Sequence, residues 1–342
     1  MRWDVFCRVI DNFGDIGVCW RLAADLAGRG EAVRLWVDDA AALRWMAPGG
    51  APGVDLVAWT DDTPAPEPGD VVVEAFGCDP HPAFVARMAA RQPAPVWINL
   101  EYLSAEDYVE RSHRLPSPQP NGLTKWFFYP GFTSRTGGLL REPGLSAARD
   151  AFDRDAWLAQ HAIERRPGER LASLFCYASP ALPALLDDLS REPTLLLAAP
   201  GDARHAVGAD RGALRVQALP WLTQADYDRL LWACDLNFVR GEDSFVRAQW
   251  AAAPFVWQIY PQHDAAHAAK LDAFLDRFGA DEPLRALTFA WNGLGSWPAA
   301  WPDPAGWGAA CRHWRDALLA HPDLTRQLIE FAAGKRGKRG KR

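Results

Sequence analysis

Short apolar runs alternating with helix-length amphipathic segments, twice over, constrain this chain more than any other feature. WDVFCRVI reads as a buried strand, GDIGVCWRLAADLAGRG as a helix closed by glycines, and AVRLWVDD as the next strand. A short helix around ALRWMA follows, then strands VDLVAW and DVVVEAF, helix PAFVARMAARQ and strand PVWINL. Such alternation builds βαβ units, and hence a parallel sheet covered by helices on both faces. From 101 to about 168 the pattern gives way to a Pro- and Ser-rich stretch, the strand-like TKWFFYPGF and a glycine pair at 137 and 138. A long irregular segment at the end of a sheet is more often a functional or interdomain loop than a gap in the pattern.

The alternation then restarts. RLASLFCYA, PTLLLAAP, LRVQALPW, DLNFVRG and PFVWQIYP read as strands, with helices ALPALLDDLSR, TQADYDRLLWAC (capped by Thr223) and EDSFVRAQWAA among them. HDAAHAAKLDAFLDRFG, GWGAACRHWRDALLAH and DLTRQLIEFAAG end the chain as helices. The 342 residues suit about two domains. The expected architecture is α/β, with two doubly wound Rossmann-like domains, 1–165 and 166–320. A helix over 321–334 could return to the first domain, and a basic tail, 335–342, is expected to be disordered. In such folds ligands bind beyond the carboxyl ends of the strands, and a cleft between two domains is the natural site.

Composition excludes several classes. With 49% hydrophobic and 23% charged residues the chain is not disordered as a whole. No run of about 18 apolar residues suggests a membrane helix. The start, MRWDVFCRVIDNFGD, carries three acids and no apolar core of a secretory signal. The six Cys are scattered without a C-x-x-C pair, as expected for reduced thiols in a cytoplasmic protein. The formal net charge is −6, yet six positive charges sit in the terminal GKRGKRGKR, leaving −12 on the rest. That acidic body is not a nucleic-acid binder. The tail suits either a solubilising extension or a contact with RNA or an acidic partner.

Three constellations could carry chemistry. The turn Asp11-Asn12-Phe13-Gly14-Asp15-Ile16-Gly17 follows the first strand, where a dinucleotide fold carries G-x-G-x-x-G; only Gly14 and Gly17 match. Asp11 and Asp15 could cap the helix, or pair as a supported general base. Arg240-Gly241-Glu242-Asp243-Ser244 joins a strand to a helix. A helix N-terminus with Arg240 and Ser244 suits a diphosphate, or is simply a capped helix. Glu242 and Asp243 would repel phosphate, so at least one should meet hydroxyls or a cation instead. Phe175, Tyr177 and Tyr260 stand at strand ends, suited to stacking on a base that Gln258 could read, although core packing explains any one of them. His263-Asp264-Ala265-Ala266-His267 imitates H-E-x-x-H but has Asp in place of Glu and no third ligand downstream. No G-x-S-x-G elbow marks a hydrolase.

DNFGDIGVCWRLA, SLFCYASPALPALL and NFVRGEDSFVRAQWA resemble, in order and spacing, the protein-arginine rhamnosyltransferases of translation elongation factor P, the EarP family. The resemblance covers nearly the whole chain. It implies a GT-B fold, two Rossmann-like domains facing across a cleft, and inverting transfer of rhamnose from dTDP-β-L-rhamnose to an arginine of elongation factor P. The modified factor then rescues ribosomes stalled at polyproline. By position, the resemblance implies that Asp15 is the general base, Asp11 its support and Glu242 an essential acid. It places Asp243 and Ser244 at the sugar nucleotide. Asn12, Phe13, Gly14 and Arg240 are further substrate-binding candidates, and Phe175, Tyr177, Gln258 and Tyr260 are candidates for the thymine and ribose pocket. No cofactor or metal is expected, because no D-x-D motif stands at a matching position. A membrane or nucleic-acid partner is not expected either. The loop 101–120 is a candidate acceptor contact. Two other readings remain open at this point: a GT-B enzyme with another sugar nucleotide or a small acceptor, and a noncatalytic nucleotide-binding protein.

Overall fold

The computed structural model describes every residue except 12, 61, 202–203, 262–265 and 340–342. The chain divides into two compact units, Met1–Pro143 with Ala320–Arg342, and Gly144–Leu319.

In the first unit β1 (Arg2–Cys7) leads into α1 (Gly14–Gly28), β2 (Ala32–Val37), α2 (Leu43–Met46) and β3 (Val54–Ala58). Next come β4 (Val71–Ala75), α3 (Pro82–Ala90), β5 (Val96–Leu100), α4 (Tyr108–Ser112), β6 (Pro116–Pro118) and β7 (Thr124–Phe128). The strand order is β3-β2-β1-β4-β5-β7-β6, parallel throughout except for the antiparallel β6–β7 pair. All five residues of β4 and of β5 are buried, Glu74 and Asn99 among them, so burial of both faces rather than an alternation marks these central strands. Each fully buried Val, Leu or Ile there contributes roughly 1.5–3 kcal/mol. The buried Asp4 accepts bonds from Arg34 (2.6 and 2.8 Å), the Trp36 indole (2.9 Å) and the Gly69 amide (2.6 Å), so its charge is fully matched.

The second unit opens with α5 (Leu145–Asp150), α6 (Arg154–Gln160), β8 (Arg170–Leu174), α7 (Leu182–Leu189), β9 (Thr194–Ala198) and α8 (Arg204–Val207). It continues through β10 (Leu214–Ala218), α9 (Gln224–Ala233), β11 (Leu236–Arg240), α10 (Asp243–Ala251) and β12 (Phe255–Gln258). Three helices complete it, α11 (Ala266–Phe278), α12 (Glu282–Trp291) and α13 (Pro304–Leu319). Its five parallel strands run in the order β10-β9-β8-β11-β12. The last helix, α14 (Leu324–Arg339), belongs to the first unit.

Among its parallel strands each sheet reverses its order once, between β1 and β4 in the first and between β8 and β11 in the second. Loops leaving the carboxyl ends of such neighbours diverge and open a crevice. The two polar turns singled out in the sequence leave β1 and β11, one at each reversal.

Two expected boundaries are corrected. The units part at 143/144 rather than 165, because Trp157, Leu158 and Ile163 bury themselves with Leu171, Leu195 and Leu230 of the second unit. At the other end, α14 runs on through Arg339, past the expected helix end at 334 and into the stretch expected to be disordered. Leu324, Leu328, Phe331 and Ala332 pack into the first unit's core, Lys335 lies over the Trp126 ring, and Arg336 pairs with Asp70 at 2.9 Å. The first GKR repeat is therefore anchored. All six cysteines are unbridged, five of them buried. Among the described residues no helix is long and apolar enough to cross a membrane.

Candidate active site

In the first unit the chain leaves β1 through residues 8–13 and enters α1. Asp15, the second residue of that helix, is 2% exposed. Its Oδ2 accepts from the amides of Ile10 (2.8 Å) and Asp11 (2.9 Å), and its Oδ1 from the Tyr102 hydroxyl (3.2 Å). Asp15 thus ties down the loop before the helix rather than capping it. The cap position is Phe13, which makes no side-chain capping bond. Burial pushes the Asp15 carboxyl above its ordinary range and the nearby Asp11 charge adds to this, while the two amides and Tyr102 pull the other way. A carboxylate held this way is a stronger base than one in water.

Asp11 is half-buried, and its carbonyl accepts from the Gly14 amide at 2.7 Å. A Cβ on Gly14 would collide with Asp11 Oδ2, so the close approach itself calls for glycine. Gly14→Ala is therefore expected to displace the Asp11 carboxylate. It should lower turnover about tenfold with little change in melting temperature, read by a steady-state assay alongside a thermal melt. An unchanged rate would show that the position of Asp11 does not matter. The expected substrate contact Phe13 packs its ring edge-on to Trp45, 5.4 Å away, on the rim of the core. Asn12 lies outside the described residues.

Two residues the sequence did not single out complete this half. Tyr102, just beyond β5, stacks on Phe76, just beyond β4, with centroids 4.2 Å apart and planes 11° from parallel. Phe76 holds a left-handed backbone (φ +59°), which turns its ring toward Tyr102. The next amide, Gly77, donates to Asn99 Oδ1 (3.2 Å), and Asn99 donates to Glu101 Oε1 (2.7 Å). Tyr102 falls within the loop 101–120, and nothing local pairs it with a carboxylate 87 residues away.

In the second unit the buried Arg240 ends β11. Its guanidinium carbon lies 4.4 Å from the Phe175 ring centroid and 4.4 Å from that of Tyr177. Each such contact is worth roughly 0.5–2 kcal/mol. Gly241 turns the chain with φ +61°, its amide donating to the Gln258 carbonyl (3.1 Å) and its carbonyl accepting from the Trp257 indole (2.8 Å). Trp257 in turn stacks on Phe245 at 3.8 Å, so the first turn of α10 is locked to β12. Within α10, Arg247 grips Asp228 of α9 through two bonds (2.8 and 2.7 Å). The buried Ser244 hydroxyl donates to the Arg240 carbonyl. Glu242, at the cap position of α10, and Asp243 are half-buried, and Gln224 donates to Asp243 Oδ2 at 3.2 Å. Tyr227 meets Phe175 edge-on at 5.8 Å. Sequence reading passed over Gln224 and Tyr227 as parts of a capped helix, which Thr223 does cap through its bond to the Asp226 amide (3.1 Å).

Of the expected base-reading set, Gln258 Oε1 accepts from the Tyr177 amide (2.8 Å), which ties the end of β12 to the loop after β8. Phe175 and Tyr177 each turn a ring to Arg240, while Tyr260, 41% exposed, meets Tyr177 edge-on at 5.5 Å. Arg240 stands three residues before Asp243, the first residue of α10, with the Phe175 and Tyr177 rings against its guanidinium. His263 and Asp264 of the zinc-like motif lie outside the described residues. Among the described residues no group of three or more His, Cys, Asp or Glu side chains could share a metal ion.

Asp11 and Asp15 thus stand just beyond β1 in the first unit, and Arg240 with the Phe175 and Tyr177 rings at the end of β11 in the second. Residues 3–333 match the family described as the Elongation-Factor P (EF-P) rhamnosyltransferase EarP. Protein-arginine rhamnosyltransferases of Pseudomonas aeruginosa and Pseudomonas putida are 45% and 47% identical to this chain. The alignments cover 97% and 96% of it and 98% of each relative. A solved structure described for EarP-mediated arginine glycosylation of EF-P superposes with a TM-score of 0.67 at 35% identity, covering 97% of this chain and 99% of that one. The spinosyn rhamnosyltransferase SpnG, solved with thymidine diphosphate, shares the fold at a TM-score of 0.52 and 14% identity, over 97% of this chain and 100% of its own. The two parallel-sheet units are those of GT-B glycosyltransferases, and the chain belongs to the EarP family of elongation factor P arginine rhamnosyltransferases.

Proposed function

We propose that this chain transfers L-rhamnose from dTDP-β-L-rhamnose to one arginine side chain of elongation factor P in the cytoplasm, with inversion at the anomeric carbon. The observation that carries the reading is Asp15, a buried carboxylate held by two amides and a phenol beside a second carboxylate, in a chain of this family. An arginine guanidinium stays protonated at neutral pH, its pKa above about 12, and its nitrogens are poor nucleophiles. Asp15, supported by Asp11, orients one nitrogen and takes its proton as that nitrogen bonds to the anomeric carbon. The anomeric carbon–oxygen bond breaks, dTDP leaves with the electron pair, and the proton passes from Asp15 to water. The product guanidinium keeps its positive charge, so atoms and charge balance.

Charge that grows on the leaving diphosphate is met by Arg240 and the N-terminal amides of α10. Phe175, Tyr177 and Tyr260 provide the aromatic surface for thymidine. Glu242 and Asp243 are better suited to sugar hydroxyls than to phosphate. Because the cation at the diphosphate is a side chain, turnover is expected to survive a metal chelator.

Calorimetric titration tests the donor: dTDP-rhamnose should bind, while UDP- and GDP-sugars should bind at least tenfold more weakly. An inverting route from a β donor leaves an α-linked rhamnosyl arginine, readable by NMR of the product. Equal binding of all three donors would favour a GT-B enzyme of broader donor range, and a β-linked product would overturn inversion.

A further inference from the structure

We propose that Tyr102 is a positioning residue of the transfer reaction, one that aims the Asp15 carboxylate and holds it ionised through the bond from its hydroxyl. The inference rests on Asp15 being the base. Of the two carboxylate oxygens of Asp15, Oδ2 is committed to the Ile10 and Asp11 amides, which both come from the loop just before α1. Those bonds fix one oxygen but leave the carboxylate plane able to turn about it. The Tyr102 hydroxyl meets the other oxygen, Oδ1, from β5's end of the crevice, and so sets the plane. A three-point hold from two strand ends is the pre-organisation a base needs if it is to meet a nitrogen in one orientation.

Tyr102 is itself held. Its ring lies flat against Phe76, whose left-handed backbone occurs where the chain leaves β4, and Gly77 is bonded to Asn99 of β5. A non-glycine residue at φ +59° carries a conformational cost that surrounding contacts must offset. Here the arrangement yields a stacked platform whose one polar atom points at Asp15. The groups that face Asp15 are Asp11 on its own loop, Tyr102 from β5, and the buried Cys19 of α1 behind it. Of these, only Tyr102 is a neutral hydroxyl that donates to the ionised form and can be removed without altering charge.

The direction of the effect follows. An O–H donor favours the carboxylate over the carboxylic acid, so losing it raises the pKa of the base. Tyr102→Phe keeps the ring and its stack on Phe76 and removes only the hydroxyl. In a pH series of turnover on elongation factor P, the acid limb of kcat should move up by roughly half a unit to one unit. At the plateau kcat should fall about fivefold, with KM for dTDP-rhamnose unchanged. A merely structural tyrosine would lower activity without moving the limb, and that outcome, or a wild-type profile, overturns the inference. Asp15→Asn in the same assay separates the two claims. If that variant turns over normally, the base assignment itself fails. If it is inactive while the Tyr102→Phe limb stays in place, only the positioning role fails.

Discussion

Asp15→Asn is expected to lower rhamnosyl transfer by about 10²- to 10⁴-fold, the range that a positioned general base supplies, while dTDP-rhamnose binds as tightly as before. The geometry makes Asn a clean replacement. Its Oδ1 can accept from the Ile10 and Asp11 amides as Asp15 Oδ2 does, and its Nδ2 can donate to the Tyr102 oxygen. The fold is kept and only the proton acceptor is lost. The residues proposed to hold the donor lie on the second unit, so donor affinity has no reason to change. Intact-mass time courses and calorimetry read the two quantities separately. Wild-type turnover by the variant would remove Asp15 from the mechanism.

The same substitution should stabilise the protein at neutral pH. Burial raises the Asp15 pKa in the folded state, so the folded chain holds that proton more tightly than the unfolded chain does. The stability gained from this preference is present below the unfolded pKa of about 3.9 and is lost as pH rises through the folded value. Once its carboxyl is ionised the wild type therefore bears the cost of a buried charge, and Asn does not. Thermal melts should show the variant ahead at pH 7, with the gap narrowing as pH falls. A site that gives up stability for reactivity behaves this way.

Arg240→Lys should reduce kcat/KM for dTDP-rhamnose by about 10²-fold, in the range that loss of one charge-stabilising donor produces. Lysine keeps the positive charge, but a compact ammonium cannot spread over both the Phe175 and Tyr177 rings as a delocalised guanidinium can, nor offer a planar fork to a diphosphate. The loss should be shared by KM and kcat, since Arg240 is proposed to meet both the bound diphosphate and the charge that grows as it leaves. That split contrasts with Asp15→Asn, where the change falls on kcat. Steady-state kinetics with varied donor distinguish the two. Unchanged kcat/KM would mean that positive charge alone, without its geometry, is sufficient.

Much of this architecture was legible because apolar periodicity is a local property. The buried runs VVVEA and VWINL and the turn residues of DNFGDIG and RGEDS mark strands and strand-to-helix turns without any knowledge of neighbours. What lay beyond reach was pairing at long range. Tyr102 reaches Asp15 across 87 positions, and Gln258 reaches the Tyr177 amide across 81. The first bond ties a tyrosine to a carboxylate that no local pattern pairs with it. In the second a carboxamide expected to read a base also bonds the loop after β8. The boundary error had a similar origin, because α5 and α6 lie in irregular sequence and only the burial of Trp157 and Leu158 beside Leu195 assigns them to the second unit. In the tail, glycine spacing suggested disorder, whereas the Arg336–Asp70 pair and the Lys335–Trp126 contact hold its first repeat in a helix.

The acidic body also acquires meaning at the level of the site. A net charge cannot distinguish a solvated surface from a reactive crevice, but Asp11 and Asp15 converge on one turn, where a cationic acceptor would be drawn and its proton taken. The most direct test is the intact mass of purified elongation factor P after incubation with this protein and dTDP-β-L-rhamnose. The account predicts the gain of one deoxyhexose on a single arginine, lost when that arginine is replaced by lysine. An unchanged mass with the donor demonstrably bound, or sugar carried by the lysine variant as well, would contradict it.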